Sequence, residues 1–366
     1  MLLEVYGHGG DLATASVRYG VAPGKITDFS ANINPLGPPP GVLELLKESL
    51  PRITGYPDPG HRALIAKLAN ILDTDKDCIV IGNGAAENMA LALLALSPGK
   101  VGVIEPCFSE YRALSRQFGA EVVSVSGTEE RDFRAAPEEV ERLIKDSDLV
   151  FVGQPNNPNG VQYTLDELCR FAEAGERYRT YVVIDEAFID FIPEANRQSL
   201  LGELERYPKL ILIRSMTKFY AIPGLRLGYA IAHPETAAAM RGKQVTWSVN
   251  ALALLAGEAC LDAGEDYGRA TISLIARQRE TLRRELDRLG CRTWPGEANF
   301  LLVRLPEGRT AAGMQDALGR RGVLVRSCAM YPGLGERDIR IAVKDEAACA
   351  KLLDEMKRAL NGGIGK

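Results

Sequence analysis

Six short apolar runs recur between residues 78 and 214: CIVI at 78–81, VGVI at 101–104, EVVSV at 121–125, LVFV at 149–152, YVVID at 181–185 and LILIR at 210–214. Helical patterns separate them, as at 85–97 and 164–177. Strand-length β-branched runs alternating with helix-length segments predict βαβ units and a mostly parallel sheet. The runs are apolar at successive positions, as strands covered on both faces require. The chain is therefore expected to be an α/β protein.

Beyond residue 250 the pattern changes. A long amphipathic helix is expected over roughly 264–289, with Ile275, Leu282, Leu286 and Leu289 on one face and Gly290 as its stop. FLLVRL (300–305), GVLVR (322–326) and DIRIAV (338–343) read as strands. A last helix over about 345–360 places Leu352, Leu353, Met356 and Leu360 on one stripe. The expected organisation is an N-terminal arm (1–40), a large α/β domain (41–250) and a smaller α+β domain (251–366), the arm packing on the small domain and the active site. The turn-rich stretch 35–60 encloses one short helix, VLELLKESL.

Composition removes several function classes. The 366 residues carry a formal charge of −4 with no block of five or six like charges, so there is no electrostatic footprint for nucleic acid or acidic membranes. No apolar stretch is long enough to span a bilayer, and Glu4 and Asp11 stand where a signal peptide would be cationic and apolar. A soluble cytoplasmic protein is expected. The seven cysteines form no C-x-x-C pair, so neither a disulfide framework nor a zinc site is expected.

Four segments carry chemistry. In IGNGAAE (81–87), Gly84, Ala85 and Ala86 follow a strand and open a helix, where free N–H groups and the helix dipole favour a phosphate. The third glycine of a dinucleotide fingerprint is missing. Asp185 ends the run YVVID, at the strand end where ligands of parallel sheets bind; a carboxylate there needs a cationic partner such as a protonated ring nitrogen, or serves as a helix cap. In IRSMTKFYAIPGLRLGY (213–229), Lys218 lies among apolar residues that depress an amine pKa and suit it to Schiff-base chemistry. Ser215, Thr217 and Arg226 are placed to hold an anion. In GQPNNPNG (153–160), Asn156 and Asn157 offer amides to a phenolic oxygen, or simply form a prolyl turn. Phosphate, ring nitrogen, phenolic oxygen and an aldehyde wanting an amine together describe pyridoxal 5'-phosphate.

These segments resemble the fold-type I pyridoxal-phosphate enzymes of the aminotransferase superfamily, over nearly the whole chain. The resemblance implies a mostly parallel seven-stranded sheet and a homodimer with shared active sites. It implies that Lys218 binds the cofactor aldehyde, Asp185 pairs with the pyridine nitrogen and Asn157 bonds the ring hydroxyl. Phe108, in EPCFSEY, would stack on the ring, and Tyr56, in GYPD, would reach the phosphate across the dimer interface. Arg340, in DIRIAV, matches the arginine that takes a substrate anion.

Two branches of the superfamily are close, the histidinol-phosphate aminotransferases and the threonine-phosphate decarboxylases. HGGD at 8–11, DFSANINPLGPP, the uninterrupted TKFYAIPGLRLGY and Phe188 favour the decarboxylases. That branch usually has asparagine where Asp11 stands, a departure expected to be harmless. The aminotransferases normally have a tyrosine at the position of Phe188. The decarboxylase resemblance implies substrate contacts at His8, Gly9, Asn32, Asn157, Arg326 and Arg340, and gives Arg304 no role, so Arg304 is expected to face outward. It implies a carboxy-lyase that converts L-threonine O-3-phosphate to aminopropanol phosphate and carbon dioxide in cobalamin biosynthesis. Transamination of histidinol phosphate and decarboxylation of L-serine O-phosphate are the alternatives.

Overall fold

A computed structural model describes residues 9–361. Seven strands form one sheet: β1 (Ile79–Gly82), β2 (Lys100–Glu105), β3 (Glu121–Ser126), β4 (Leu149–Gly153), β5 (Tyr181–Asp185), β6 (Leu210–Ser215) and β7 (Gly228–Ala232). Their order is β1-β7-β6-β5-β4-β2-β3. Adjacent pairs from β6 to β3 are parallel, whereas β7 runs antiparallel to both β6 and β1. All six apolar runs of the sequence are strands here. β7 begins at the last two residues of GLRLGY (224–229) and runs on to Ala232, so the chemistry-bearing residues of its approach obscured its strand character.

Side chains alternate between two apolar layers. Val150, Val152, Val182, Ile184, Leu210 and Leu212 meet Leu168 and Phe171 on one face. Leu149, Phe151, Val183, Ile211 and Ile213 meet Met89, Leu93 and Met240 on the other. β3, an edge strand that pairs with β2 alone, departs from the expectation of strands buried on both faces: its residues are half-buried or exposed, whereas β1 at the opposite edge is buried throughout. The helices Ala85–Leu96 and Leu165–Tyr178 lie within one residue of the predicted ranges.

A second apolar centre holds Ile275, Leu282 and Leu286 of the helix Gly264–Arg288 against Phe300, Val303, Ile339, Ile341, Leu352 and Met356. Gly290 follows that helix at φ 77°, the left-handed conformation that ends helices. The segment GVLVR is not one strand. Val323–Leu324 pairs with Thr27–Asp28, and Arg326–Ser327 pairs with Ile339–Arg340. The chain changes partners at Val325.

The N-terminal segment is stitched to this second centre. Phe29 N donates to Leu324 O at 2.7 Å, and Ala342 N donates to Phe29 O at 2.8 Å. Asn34 Nδ2 donates to Phe219 O, Tyr267 Oη and Thr271 Oγ1 at 2.8–2.9 Å. Asp11 caps the helix Leu12–Tyr19 by accepting from Thr14 N at 3.0 Å, a bond that asparagine makes equally well. His8 lies outside the described residues.

Candidate active site

The C-terminal ends of β4, β5 and β6 open into a cavity of about 630 Å³. Asp185 closes β5, and Lys218 follows β6 by three residues. The cavity also takes Ala85, Ala86, Phe108, Asn157, Phe188, Thr217 and Arg226 from the α/β part, Arg326 and Arg340 from the C-terminal strands, and Gly9, Ser30 and Asn32 from the N-terminal segment. Most of the sequence-predicted positions thus converge from parts of the chain 300 residues apart.

Asp185 is buried and held at both oxygens. The Tyr111 hydroxyl donates to Oδ2 at 2.6 Å, and the Ala187 N–H donates to Oδ1 at 3.0 Å. Burial raises its pKa, while those two bonds and the Lys218 charge oppose the rise. Tyr111 was not foreseen; the one signal was its place one helical turn beyond Phe108. Its ring stacks on Phe151 with centroids 4.9 Å apart, which fixes the phenol.

Lys218 Nζ donates to Ser215 Oγ at 3.4 Å. Burial lowers its pKa to about 8; Asp185 opposes this, and Arg226 and Arg340 add to it. At pH 7 such an amine has a neutral fraction about 300-fold larger than an ordinary lysine. Phe188 faces the amine, its ring centre 5.9 Å from Nζ, and packs edge-on against Phe300.

A cradle lies between β1 and the helix Ala85–Leu96. Gly84 has φ +89°, and a Cβ there would sit 2.5 Å from an Arg226 terminal nitrogen. A Cβ on Gly228 would sit 2.8 Å from Ala85 N. Arg226 itself is held at φ 58°, an uncommon conformation for a non-glycine residue that recurs at functional sites. Glycines keep this space open beside backbone N–H groups and a guanidinium, the donor set of a phosphate site.

Arg340 donates from one terminal nitrogen to Asn157 Oδ1 at 2.7 Å and from the other to Ser30 O at 2.6 Å. Arg340 thus occupies the Oδ1 of Asn157, a residue that lines the cavity. The Asn156 amide donates to Pro106 O and Asn159 Oδ1. Arg326 stands directly across the strand pair from Arg340. Gly10 N donates to Ser30 Oγ at 2.8 Å, and a Cβ on Gly9 would be 2.2 Å from Ser30 O.

Two of the named residues lie outside this cavity. Tyr56 is 82% exposed and stacks on Trp247, with ring centroids 4.3 Å apart, outside this cavity. Arg304 is not a free outward residue. It donates to both oxygens of buried Asp338 at 2.8 and 3.1 Å, reaches Glu129, and covers the Trp294 ring. Its strand neighbour Asp338 gives it that role, which the local text LLVRLP does not reveal.

A mostly parallel sheet core with a half-buried lysine, a buried carboxylate and a glycine-lined phosphate cradle defines a fold-type I pyridoxal-phosphate enzyme. The family model for aminotransferase class I and II matches residues 24–356, and the chain belongs to that family. Its cofactor is pyridoxal 5'-phosphate. The chain is 36% identical to the threonine-phosphate decarboxylase of Salmonella typhimurium strain LT2, over 97% of both chains. It is 35% identical to the histidinol-phosphate aminotransferase of Symbiobacterium thermophilum, over 92% of this chain and 91% of the relative. The solved structure of histidinol-phosphate aminotransferase from Clostridium acetobutylicum superposes with a TM-score of 0.84 at 34% identity, over 91% of this chain and 98% of that one. Among the described residues no helix is long and apolar enough to cross a membrane, and no cluster of metal-ligating side chains occurs.

Proposed function

We propose that this chain decarboxylates L-threonine O-3-phosphate to aminopropanol phosphate and carbon dioxide. The observation that carries the reading is the pairing of Arg326 with Arg340 across two strands, both buried on the cavity wall. Like charges directly opposite on a sheet are destabilising. A doubly charged phosphate offsets that cost, since a guanidinium binds its oxygens bidentately. Phe188 on the cavity wall and the similarity to the Salmonella decarboxylase support the same reading.

When bound, the cofactor supplies an electron sink for the bond broken at the substrate's Cα. The chain's residues decide which bond that is. Asp185 would hold the cofactor's ring nitrogen and keep it protonated. Arg326 and Arg340 anchor the phosphate. Asn32, whose buried Oδ1 has no partner among the described residues, and Gly9 bear on the rest of the substrate. His8, next along the chain, belongs to that arm in this reading. Fixing both ends of the substrate would leave it one pose in the cavity, and that pose would select the carboxylate, not the Cα hydrogen, as the group that leaves. The Lys218 amine, or water, then returns a proton to Cα.

The chain works as a homodimer in this proposal. Ile53 (67% exposed), Tyr56 and Val245 (76%) provide an apolar surface that a second copy covers, bringing Tyr56 to the neighbouring cofactor phosphate.

The test is a paired product assay. Holoenzyme is incubated with L-threonine O-3-phosphate while carbon dioxide and aminopropanol phosphate are followed. No release, together with 2-oxoglutarate-dependent turnover of histidinol phosphate, overturns the proposal in favour of the transaminase. Faster release from L-serine O-phosphate reassigns the substrate.

A further inference from the structure

We propose that the Tyr331 phenol is a third donor to the substrate's phosphate, beside Arg326 and Arg340. This rests on the reading that the substrate carries a phosphate.

Tyr331 sits in the loop between the strands Arg326–Ser327 and Asp338–Ala342, the two that bear the arginines. Its side chain lines the cavity and is only 5% exposed. The ring is wedged into a small apolar cluster with Phe133, Trp294, Leu302 and Cys328. The loop is fixed in its backbone as well. Tyr331 N donates to Cys328 O at 3.0 Å, and Leu334 N donates to Tyr331 O at 3.0 Å. Gly335 N donates to Asp338 Oδ2 at 2.7 Å, and Asp338 is itself clamped by Arg304. Glu129 ties Arg304 to Arg292, so an ion-paired frame backs the loop. The phenol is therefore placed before any ligand arrives.

The positive charges of Arg340 and Arg326 both act on the phenol, which therefore lies beside the two guanidinium groups. A neutral phenol has one hydrogen to donate, and guanidinium groups accept none, so that hydrogen is left for a ligand. Burial pushes the phenol's pKa up, so that hydrogen is present throughout the neutral range. A phosphate has three terminal oxygens and a carboxylate two. Two guanidinium forks and a phenol match the larger count. The phenol also makes the site distinguish a phosphorylated ligand from one bearing a carboxylate alone.

The experiment uses the holoenzyme, in which the cofactor fills its own phosphate cradle. Inorganic phosphate is titrated calorimetrically into the wild type and Tyr331→Phe, a change that keeps the ring in its cluster. Loss of one charge-assisted donor is expected to raise the phosphate Kd about tenfold. The KM for L-threonine O-3-phosphate rises by a similar factor with kcat nearly unchanged, and the affinity for unphosphorylated L-threonine, read from the cofactor spectrum, stays within about twofold. A phosphate Kd equal to the wild type's overturns the assignment. So does an equal weakening of L-threonine, which marks a merely structural role. If the wild type releases no carbon dioxide but Tyr331→Phe still loses phosphate affinity, the substrate reading fails and the Tyr331 assignment stands.

Discussion

Tyr111→Phe removes one oxygen and leaves the ring stacked on Phe151. In the wild type that oxygen donates to Asp185 Oδ2 at 2.6 Å, between two buried groups. A hydrogen bond to a charged group contributes about 1.5–3 kcal/mol, and one to a neutral group about 0.5–1.5 kcal/mol. The cost of the substitution therefore depends on whether Asp185 is ionised. Burial raises the Asp185 pKa above its ordinary 3.8, and the tyrosine bond opposes that rise. A raised folded-state value means that burying Asp185 costs nothing below the ordinary 3.8; the cost builds as pH rises from there to the folded value and is constant above it. Without the phenol the folded value rises further. The penalty of Tyr111→Phe must then grow with pH and level off when the carboxyl is ionised in both proteins. With about 2.1 cal/mol/K of unfolding entropy per residue, 2 kcal/mol lowers the Tm of a chain this size by only about 3 °C. Urea denaturation of the apoenzymes over a pH series, from the acid limit of folding to pH 8, is the sharper assay. The expected difference between the two ends is about 1 kcal/mol more destabilisation at pH 8. A penalty that is the same across the whole series, or that shrinks as pH rises, refutes a tyrosine-bonded Asp185 whose carboxyl ionises in the folded protein.

Two further outcomes follow from the same geometry. The rate at which apoenzyme captures pyridoxal phosphate should rise with pH about a midpoint near 8, where Lys218 loses its proton, and Lys218→Ala should form no lysine-bound chromophore; a midpoint at the ordinary 10.5 contradicts the effect of burial. Gly84→Ala places a Cβ 2.5 Å from Arg226 at φ +89°, so it should cost about 1–2 kcal/mol of backbone strain and weaken cofactor binding at least tenfold, as fluorescence titration of the apoenzyme would show.

Five of the six strands read in 78–214 were legible because a strand buried on both faces must be apolar at successive positions; the sixth, β3, showed as a short β-branched run although its faces are half-buried or exposed. β7 escaped because Arg226 and the glycines of its approach made the segment read as a site. Lys218, Asp185, Asn157 and the Gly84–Ala86 turn were legible for a related reason: each stands at a strand end, where polar residues interrupt apolar text. Tyr111 and Tyr331 were not. Nothing local separates a tyrosine that only fills a core from one whose hydroxyl meets Asp185 or one that lines the cavity beside the arginines.

Arginines show where sequence stops deciding. Arg304, Arg326 and Arg340 occupy near-identical apolar contexts, LLVRLP, VLVRSC and DIRIAV. The sequence alone determined the α/β core, the long helix ending at Gly290 and the donor types a pyridoxal phosphate needs, because these follow from periodicity and local chemistry. Only the tertiary structure decided what each arginine does. The pairing register sets Arg304 opposite Asp338, which neutralises it, and Arg326 opposite Arg340 on the cavity wall. A guanidinium's role follows from the charge across the strand, and that neighbour is a matter of register rather than of adjacent text.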